Sequence, residues 1–310
     1  HPAVTGGRVE TMHTPGGTGA LRVAGDLVST ISPDASVWLS TPTWPNHPQV
    51  FGAAGLPVRS YPYLGEDGEL DIDTLLGVLK AVPAGDVVVL HGCCHNPTGI
   101  DPTAAQWELI ADAVSEAGAL PLLDFAYQGF ADGLDEDAKG LRALLARART
   151  MLVASSFSKN FALYDERVGA LSIVGADAAE TATLLSHAKA VIRSNYSNPP
   201  AHGGEIVATV LSDPALTERW IGEVGVMRDR INGNRARFVQ GLQAAGAPGD
   251  HGSLMRQRGM FSLLPLGEER VARLRDEFGV YVVGKGRVNV AGLTAENLEP
   301  VCRAIAAVTA

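Results

Sequence analysis

Five short apolar runs set the terms for this chain: Val37 to Leu39, Val87 to Leu90, Leu120 to Leu123, Met151 to Ala154 and Ala170 to Val174. Each is bounded by Gly, Pro, Asp or Ser, as strands buried in a sheet should be. Helical stretches lie between them. Thr103 to Ala117 places Trp107, Ile110, Ala111 and Val114 at helical spacing, with Pro102 where the helix starts. Ala176 to Ile192 reads as another helix. This alternation predicts an α/β fold with a largely parallel sheet.

The rhythm changes near Ala215. A long charged helical stretch, Leu216 to Ala244, has the length of a connector between domains. Gly259 to Leu264, Gly279 to Val283 and Arg287 to Val290 then read as strands, and Ala295 to Val308 as a closing helix. A chain of 310 residues suggests about two domains. The expected division gives a large domain over residues 1–225 and a smaller α+β domain over 226–310.

Lys and Arg number 25 against 34 Asp and Glu, a net charge of −9. That balance argues against a broad nucleic-acid or anionic-membrane surface, while leaving room for one local anion site. No apolar run approaches the roughly 18 residues of a membrane helix, and the first residues do not read as a signal peptide. Cys93, Cys94 and Cys302 are odd in number and two are adjacent. Free thiols in a reducing, cytoplasmic compartment are expected, packed as small buried hydrophobes.

Two stretches carry chemistry. Thr14-Pro15-Gly16-Gly17-Thr18-Gly19-Ala20-Leu21-Arg22 is a Gly-rich turn running into an apolar helical pattern. Free N–H groups at a helix start suit a phosphate, although such turns also occur without an anion, and no Walker sequence follows. Ser155-Ser156-Phe157-Ser158-Lys159-Asn160-Phe161 follows the strand ending at Ala154, with Arg167 eight residues after Lys159. Lys159 alone also reads as a surface lysine. Hydroxyls, an arginine and a helix start beside a lysine amine together suit pyridoxal 5′-phosphate carried as a Schiff base. Asp124, at the end of a buried strand, would be costly unpaired, and a pyridinium nitrogen would pair it; a helix N-cap is the plainer reading. Tyr127, three residues on, could reach the ring's phenolic oxygen.

With these residues in place the chain resembles the aspartate/aromatic aminotransferases of the class I pyridoxal-phosphate family. The matching stretches are Thr14 to Arg22, Pro42-Thr43-Trp44-Pro45-Asn46-His47, His91 to Thr103, Asp124 to Ala131, Ser155 to Gly169, Ser194 to Gly203, Arg258 to Leu263 and Arg287 to Gly292. They span nearly the whole chain. The resemblance implies a fold type I transferase: a mostly parallel sheet sandwiched by helices, followed by the smaller C-terminal domain. It implies transamination between aspartate or an aromatic amino acid and 2-oxoglutarate by ping-pong exchange.

Residue by residue, the resemblance implies that Lys159 holds the cofactor covalently and Asp124 pairs with its ring nitrogen. Tyr127 and Asn96 hydrogen-bond the ring oxygen. Gly17, Thr18, Ser156, Ser158 and Arg167 hold the phosphate. Trp44 lies against the ring and forms part of the substrate pocket. His47 supports Asp124, with His91 behind it. Arg287, helped by Asn96, takes the substrate α-carboxylate, and Arg193 reaches across a homodimer interface to a distal carboxylate. His91 and His95 flank Cys93 and Cys94 and invite a metal reading. The Asn96-Pro97-Thr98-Gly99 turn and the family pattern outweigh it, so no metal is expected.

Amino acids and 2-oxo acids are the expected partners, with no nucleic acid and no membrane. The family pattern also includes an N-terminal segment upstream of Thr14, with a tyrosine that reaches the neighbouring subunit's phosphate and a loop that closes over substrate. That segment is expected to exist ahead of His1. Aspartate and aromatic preference are not separable from these motifs. β-Decarboxylation, β-elimination and a non-enzymatic ligand sensor are the alternatives; the pair Arg193 and Arg287 favours transamination of a two-carboxylate substrate.

Overall fold

The computed structural model describes residues 1–310. Seven strands build the main sheet: β1 (Val9–Pro15), β2 (Val37–Thr41), β3 (Val58–Pro62), β4 (Val87–His91), β5 (Leu120–Phe125), β6 (Met151–Ser156) and β7 (Val168–Val174). Their spatial order is β1-β7-β6-β5-β4-β2-β3. β3, β2, β4, β5 and β6 pair in parallel, and β7 is antiparallel to both β6 and β1. β1 therefore runs the same way as β6, and β7 alone is reversed. This is the mostly parallel α/β sheet that the alternation predicts.

The central strands are mainly apolar because helices cover both faces, and their polar residues, His91, Asp124, Ser155 and Ser156, lie towards the C-terminal ends. Val87 and Val89 of β4 pack with Ala20, Leu21, Val23 and Ala24 of the helix Gly16–Ile31. Val88 and Leu90 pack on the opposite face with Trp107, Ile110 and Val114 of the helix Ala104–Glu116. Thr103 starts that second helix with a capping box: its hydroxyl accepts from the Gln106 N–H, and the Gln106 side chain accepts from the Thr103 N–H. Such a cap contributes about 1 kcal/mol.

β1 and β3, which carry no clear strand pattern in the sequence, are the two sheet edges. β1 (VETMHTP) is largely polar, and only one residue of β3 (VRSYP) is buried. Edge strands keep one side in solvent and so carry weak apolar signals. A second sheet pairs β8 (Phe261–Leu263) antiparallel with β9 (Arg287–Asn289). The strand expected at Gly279–Val283 does not form. Gly279, at φ 64°, ends the helix Gly267–Phe278 in the left-handed conformation, and Val280 N–H donates back to Leu274 O. Tyr281 is 82% exposed, and only Val283 bridges to Arg287.

The helix Pro214–Ala244, 31 residues long, spans the connector region. Asp213 caps it by accepting from the N–H groups of Ala215 and Leu216. The expected division after residue 225 falls within this unbroken helix. No helix is long and apolar enough to cross a membrane.

Candidate active site

Strand register assembles the site at the C-terminal ends of the parallel strands, where α/β sheets place ligands. His91 at the end of β4 is in register with Asp124 of β5. Ser156 at the end of β6 is opposite Gly169 of β7, and Gly169 in turn is opposite Thr14 of β1. The reversed strand thus brings the Gly-rich turn, the serine turn and Arg167 together.

The turn between β1 and the helix Gly16–Ile31 requires its glycines. Gly16 has φ 72°, and a Cβ there would lie 2.5 Å from Nη2 of Arg167. A Cβ on Gly17 would lie 2.9 Å from Cβ of Ser156. Backbone N–H groups at the helix start, the Ser156 and Ser158 hydroxyls and the Arg167 guanidinium therefore converge. Arg167 makes no ion pair; its Nη1 donates to Tyr164 O at 3.0 Å and to Ser158 Oγ at 3.5 Å. A cluster of donors and one cation without a carboxylate is an anion cradle of phosphate type.

Next to it lies a cavity of about 200 Å³. Its walls include Gly17, Thr18, Trp44, Asn96, Asp124, Tyr127, Ser156, Ser158, Lys159 and Arg167, the complete set expected to hold the cofactor, together with His91. Lys159 projects from the turn after β6, its Nζ 4.8 Å from the Tyr127 ring centroid. Burial lowers the Lys159 pKa, reinforced by the Arg167 charge and opposed by Asp124. Burial raises the Tyr127 hydroxyl, and the Asp124 charge adds to that rise.

Asp124 is buried and its Oδ2 lies 3.1 Å from Nε2 of His47. Burial alone would raise this carboxyl. The His47 hydrogen bond, with the Lys159 charge adding to it, outweighs burial and holds the pKa below the ordinary carboxylate value. A chain of contacts fixes the proton order behind it. The Asn96 N–H donates to His91 Nδ1 at 3.4 Å, which leaves the proton of a neutral His91 on Nε2. His91 Nε2 is 3.1 Å from Thr43 Oγ1, and Thr43 Oγ1 is 2.8 Å from His47 Nδ1. With Thr43 accepting from His91 and donating to His47, the His47 Nε2–H is left to donate to Asp124. Neutrality of His91 follows from burial, with His95 and His47 adding to it, all lowering its pKa.

Asn96 joins two parts of the site. Its Nδ2 donates to the Tyr127 hydroxyl at 3.4 Å, and its Oδ1 accepts from Arg287 Nη1 at 2.9 Å. Arg287, at the start of β9, stacks 4.5 Å from the Phe261 ring centroid, and its buried Nε has no partner. It is next to the cavity rather than in its wall. Arg193 stands apart: it is exposed in the last turn of the helix Ala178–Asn195, and its Nη1 donates to Ser197 Oγ at 2.7 Å.

The cavity wall also contains Leu21, Ala126 and Tyr164, to which no sequence motif assigns a role. Thr43 lies inside the Pro42–His47 motif, and its position four residues before His47 is the one sequence signal of its part in the site. The three cysteines are free and buried. The Sγ atoms of Cys93 and Cys94 and a carboxylate oxygen of Asp137 lie within 4.8 Å of one another. Asp137, however, already accepts from the N–H groups of Gly129, Ala131, Asp132 and Gly133, and burial raises both thiols.

A family profile for aminotransferase class I and II matches residues 1–305. The chain belongs to this aminotransferase family. Among its curated relatives, the aspartate aminotransferase of Salmonella typhi is 55% identical over 302 residues, covering 97% of this chain and 76% of that protein. The aromatic-amino-acid aminotransferase of Pseudomonas aeruginosa is 48% identical over 303 residues, with 98% and 76% covered. An aromatic-amino-acid aminotransferase of Burkholderia pseudomallei, solved covalently bound to pyridoxal phosphate, superposes with a TM-score of 0.97 at 47% identity, covering 100% of this chain and 78% of that one. A mitochondrial aspartate aminotransferase of Trypanosoma brucei gives 0.96 at 39% identity, covering 100% and 82%. This aminotransferase therefore has the fold type I architecture implied by its motifs.

Proposed function

We infer that this chain is a pyridoxal-phosphate-dependent aminotransferase that exchanges an amino group between aspartate or an aromatic amino acid and 2-oxoglutarate. One observation carries the reading: Lys159 and the buried Asp124 line one cavity, beside an anion cradle whose arginine has no carboxylate partner. The donor set fits pyridoxal 5′-phosphate at both ends, a phosphate on Gly17, Thr18, Ser156, Ser158 and Arg167 and a ring nitrogen on Asp124. When bound, the cofactor supplies an aldehyde that bonds amines and a conjugated ring that accepts the electron pair released at the amino acid's α-carbon.

The geometry supports the following parts for the protein's own residues. Asp124, kept ionised by His47, holds a proton on the ring nitrogen. With the cofactor bound, Asn96 and Tyr127 would donate to its ring oxygen and Trp44 would form a wall beside the ring. Arg287 binds the α-carboxylate through N–H groups that Asn96 orients. The Lys159 amine takes the α-proton of the bound amino acid and returns it on the other side of the exchange. A lowered pKa leaves more of that amine unprotonated near neutrality than a solvated lysine would have. The first oxo acid leaves before the second arrives, which gives ping-pong kinetics.

The working unit in this reading is a cytoplasmic homodimer. Residues 1–225 form the large cofactor domain and 226–310 the small one. Arg193 supports the dimer: its position outside the cavity suits a side chain that serves the neighbouring subunit's site. Free buried thiols suit a reducing compartment. A panel of amino donors with 2-oxoglutarate as acceptor, followed by the cofactor's absorbance, tests the function. Failure of both aspartate and the aromatic donors to exchange would overturn it.

A further inference from the structure

One helix touches all three parts of the site. On the helix Pro214–Ala244, Trp220, Val224, Arg228, Ile231 and Arg235 recur at spacings of three to four and share a face. Trp220 Nε1–H donates to the backbone oxygen of Asn160 at 2.8 Å, one residue beyond Lys159. The Trp220 ring stacks on Phe161, with centroids 4.5 Å apart and planes 23° apart. One turn on, a Cβ at Gly129 would lie 2.6 Å from Val224, and Arg228 Nη1 donates to Gly129 O at 3.3 Å, two residues beyond Tyr127. Further along, Arg235 is fully buried and donates to Gly259 O, just before β8, and to Ser262 Oγ within β8, which pairs with the Arg287 strand.

Before Lys159 the turn is tied to its neighbours: the Phe157 N–H donates to Val168 O at 3.0 Å, Arg167 Nη1 donates to Ser158 Oγ at 3.5 Å, and the Phe157 ring meets Phe161 edge-on. Inside the turn, the Ser158 N–H donates to Ser156 Oγ at 3.3 Å and the Ala162 N–H to Lys159 O at 3.0 Å. From outside, Asn160 Nδ2 donates to Gln128 O at 3.2 Å, and Trp220 supplies both a hydrogen bond and a ring face. We propose that Trp220 is a positioning residue for Lys159, its indole N–H and ring fixing the Asn160–Phe161 segment and hence the direction of the lysine amine. The inference rests on the transaminase reading for its kinetic consequence and on the contacts alone for its structural one.

Trp220→Phe keeps an aromatic ring against Phe161 and deletes the donor. In protein without cofactor, hydrogen–deuterium exchange over residues 157–162 should quicken by about tenfold or more. In the loaded enzyme kcat should fall by about 10- to 100-fold, since a small misplacement of a reacting group has that scale of cost, while KM for the amino donor moves less than about threefold. The pH midpoint of the cofactor's absorbance should shift, because that band reports the Lys159 environment. Phe238→Leu, in the buried part of the same helix, serves as a matched destabilised control and should leave exchange at 157–162 and the absorbance midpoint native. If Trp220→Phe does not fold, Phe161→Leu removes the ring contact from the other side and should show the same three changes in weaker form. Native exchange, kcat and midpoint in a folded Trp220→Phe protein would overturn the proposal. Failure of the transaminase reading is distinguishable, because it appears as an inactive native protein and leaves the exchange result standing.

Discussion

The imidazole of His47 lies 3.1 Å from the carboxylate of Asp124, with both residues buried. The His47 hydrogen bond lowers the pKa of this carboxyl against the burial that would raise it. That arrangement leaves Asp124 free to pair with a positive group in the cavity. Replacing Asp124 with Ala removes the buried counter-charge, and removal of one partner from such a pair costs about 3–5 kcal/mol. The expected rate loss is about 150- to 5,000-fold. Steady-state kcat of Asp124→Ala decides the matter: a value within about tenfold of native sinks the pyridinium role.

Lys159 offers a covalent test. It projects from the turn after β6 into the cavity, and burial lowers its pKa. Borohydride reduction of the loaded protein should fix the cofactor on Lys159 and on no other lysine, as read by peptide mass. Lys159→Ala should bind the cofactor without a covalent bond and lose essentially all turnover. A labelled peptide from another part of the chain would move the site elsewhere.

Legibility in the sequence varies with burial. β4 (VVVLH) is legible because both its faces are covered, so its first four positions are apolar. β1 (VETMHTP) is not, because an edge strand satisfies its polar side chains in solvent. The candidate cofactor residues are readable from local turns: Ser156, Ser158 and Lys159 are neighbours in the chain, and Asp124 and Tyr127 are three apart. Thr43 is not readable as a link between His47 and His91, because the link exists only once β2 and β4 are side by side. Gly279–Val283 has the composition of a strand, but its first residue is needed as a helix cap. Arg193 lies outside the cavity, exposed in the last turn of its helix, and no contact within the chain assigns it to the site.

His95 makes acid stability measurable. It is buried, stacked on Tyr63 with centroids 3.8 Å apart, and hydrogen-bonded to Ser40 and Thr98. Burial, with the His47 charge adding to it, lowers its pKa to about 3. The unfolded chain, with a histidine pKa near 6.5, binds the proton first. Between about pH 3 and 6.5 the unfolded state therefore holds more protons, and stability falls as pH drops through that window. One such group contributes a slope of about 1.4 kcal/mol per pH unit at most. His95→Gln should flatten the dependence of unfolding free energy on pH between about pH 4 and 6 by that order, whatever its effect at neutrality. His91 is also lowered, and its own burial, the largest cause, is present in both proteins. Parallel curves for native and His95→Gln protein would show that His95 is protonated in the fold.

Substrate charge and assembly can be tested together through Arg193 and Arg287. Arg287 already touches Asn96 in the same chain, whereas Arg193 is exposed and bonded only to Ser197. If Arg193 serves the neighbouring site, it meets a distal carboxylate there, and a charge-assisted hydrogen bond contributes about 1.5–3 kcal/mol. Arg193→Asp should then depress kcat/KM for aspartate by at least about 10- to 150-fold and leave phenylalanine much less affected. Arg287→Ala should harm both donors alike, because every amino acid presents an α-carboxylate. Mixing Lys159→Ala with Arg193→Asp protein adds the geometric test. In a hybrid dimer one site lacks both groups and the other has both, so random subunit exchange should restore about a quarter of native aspartate activity. A mixture that demonstrably exchanges subunits and stays inactive would place Arg193 in the service of its own chain, and the shared-site dimer would fall with it.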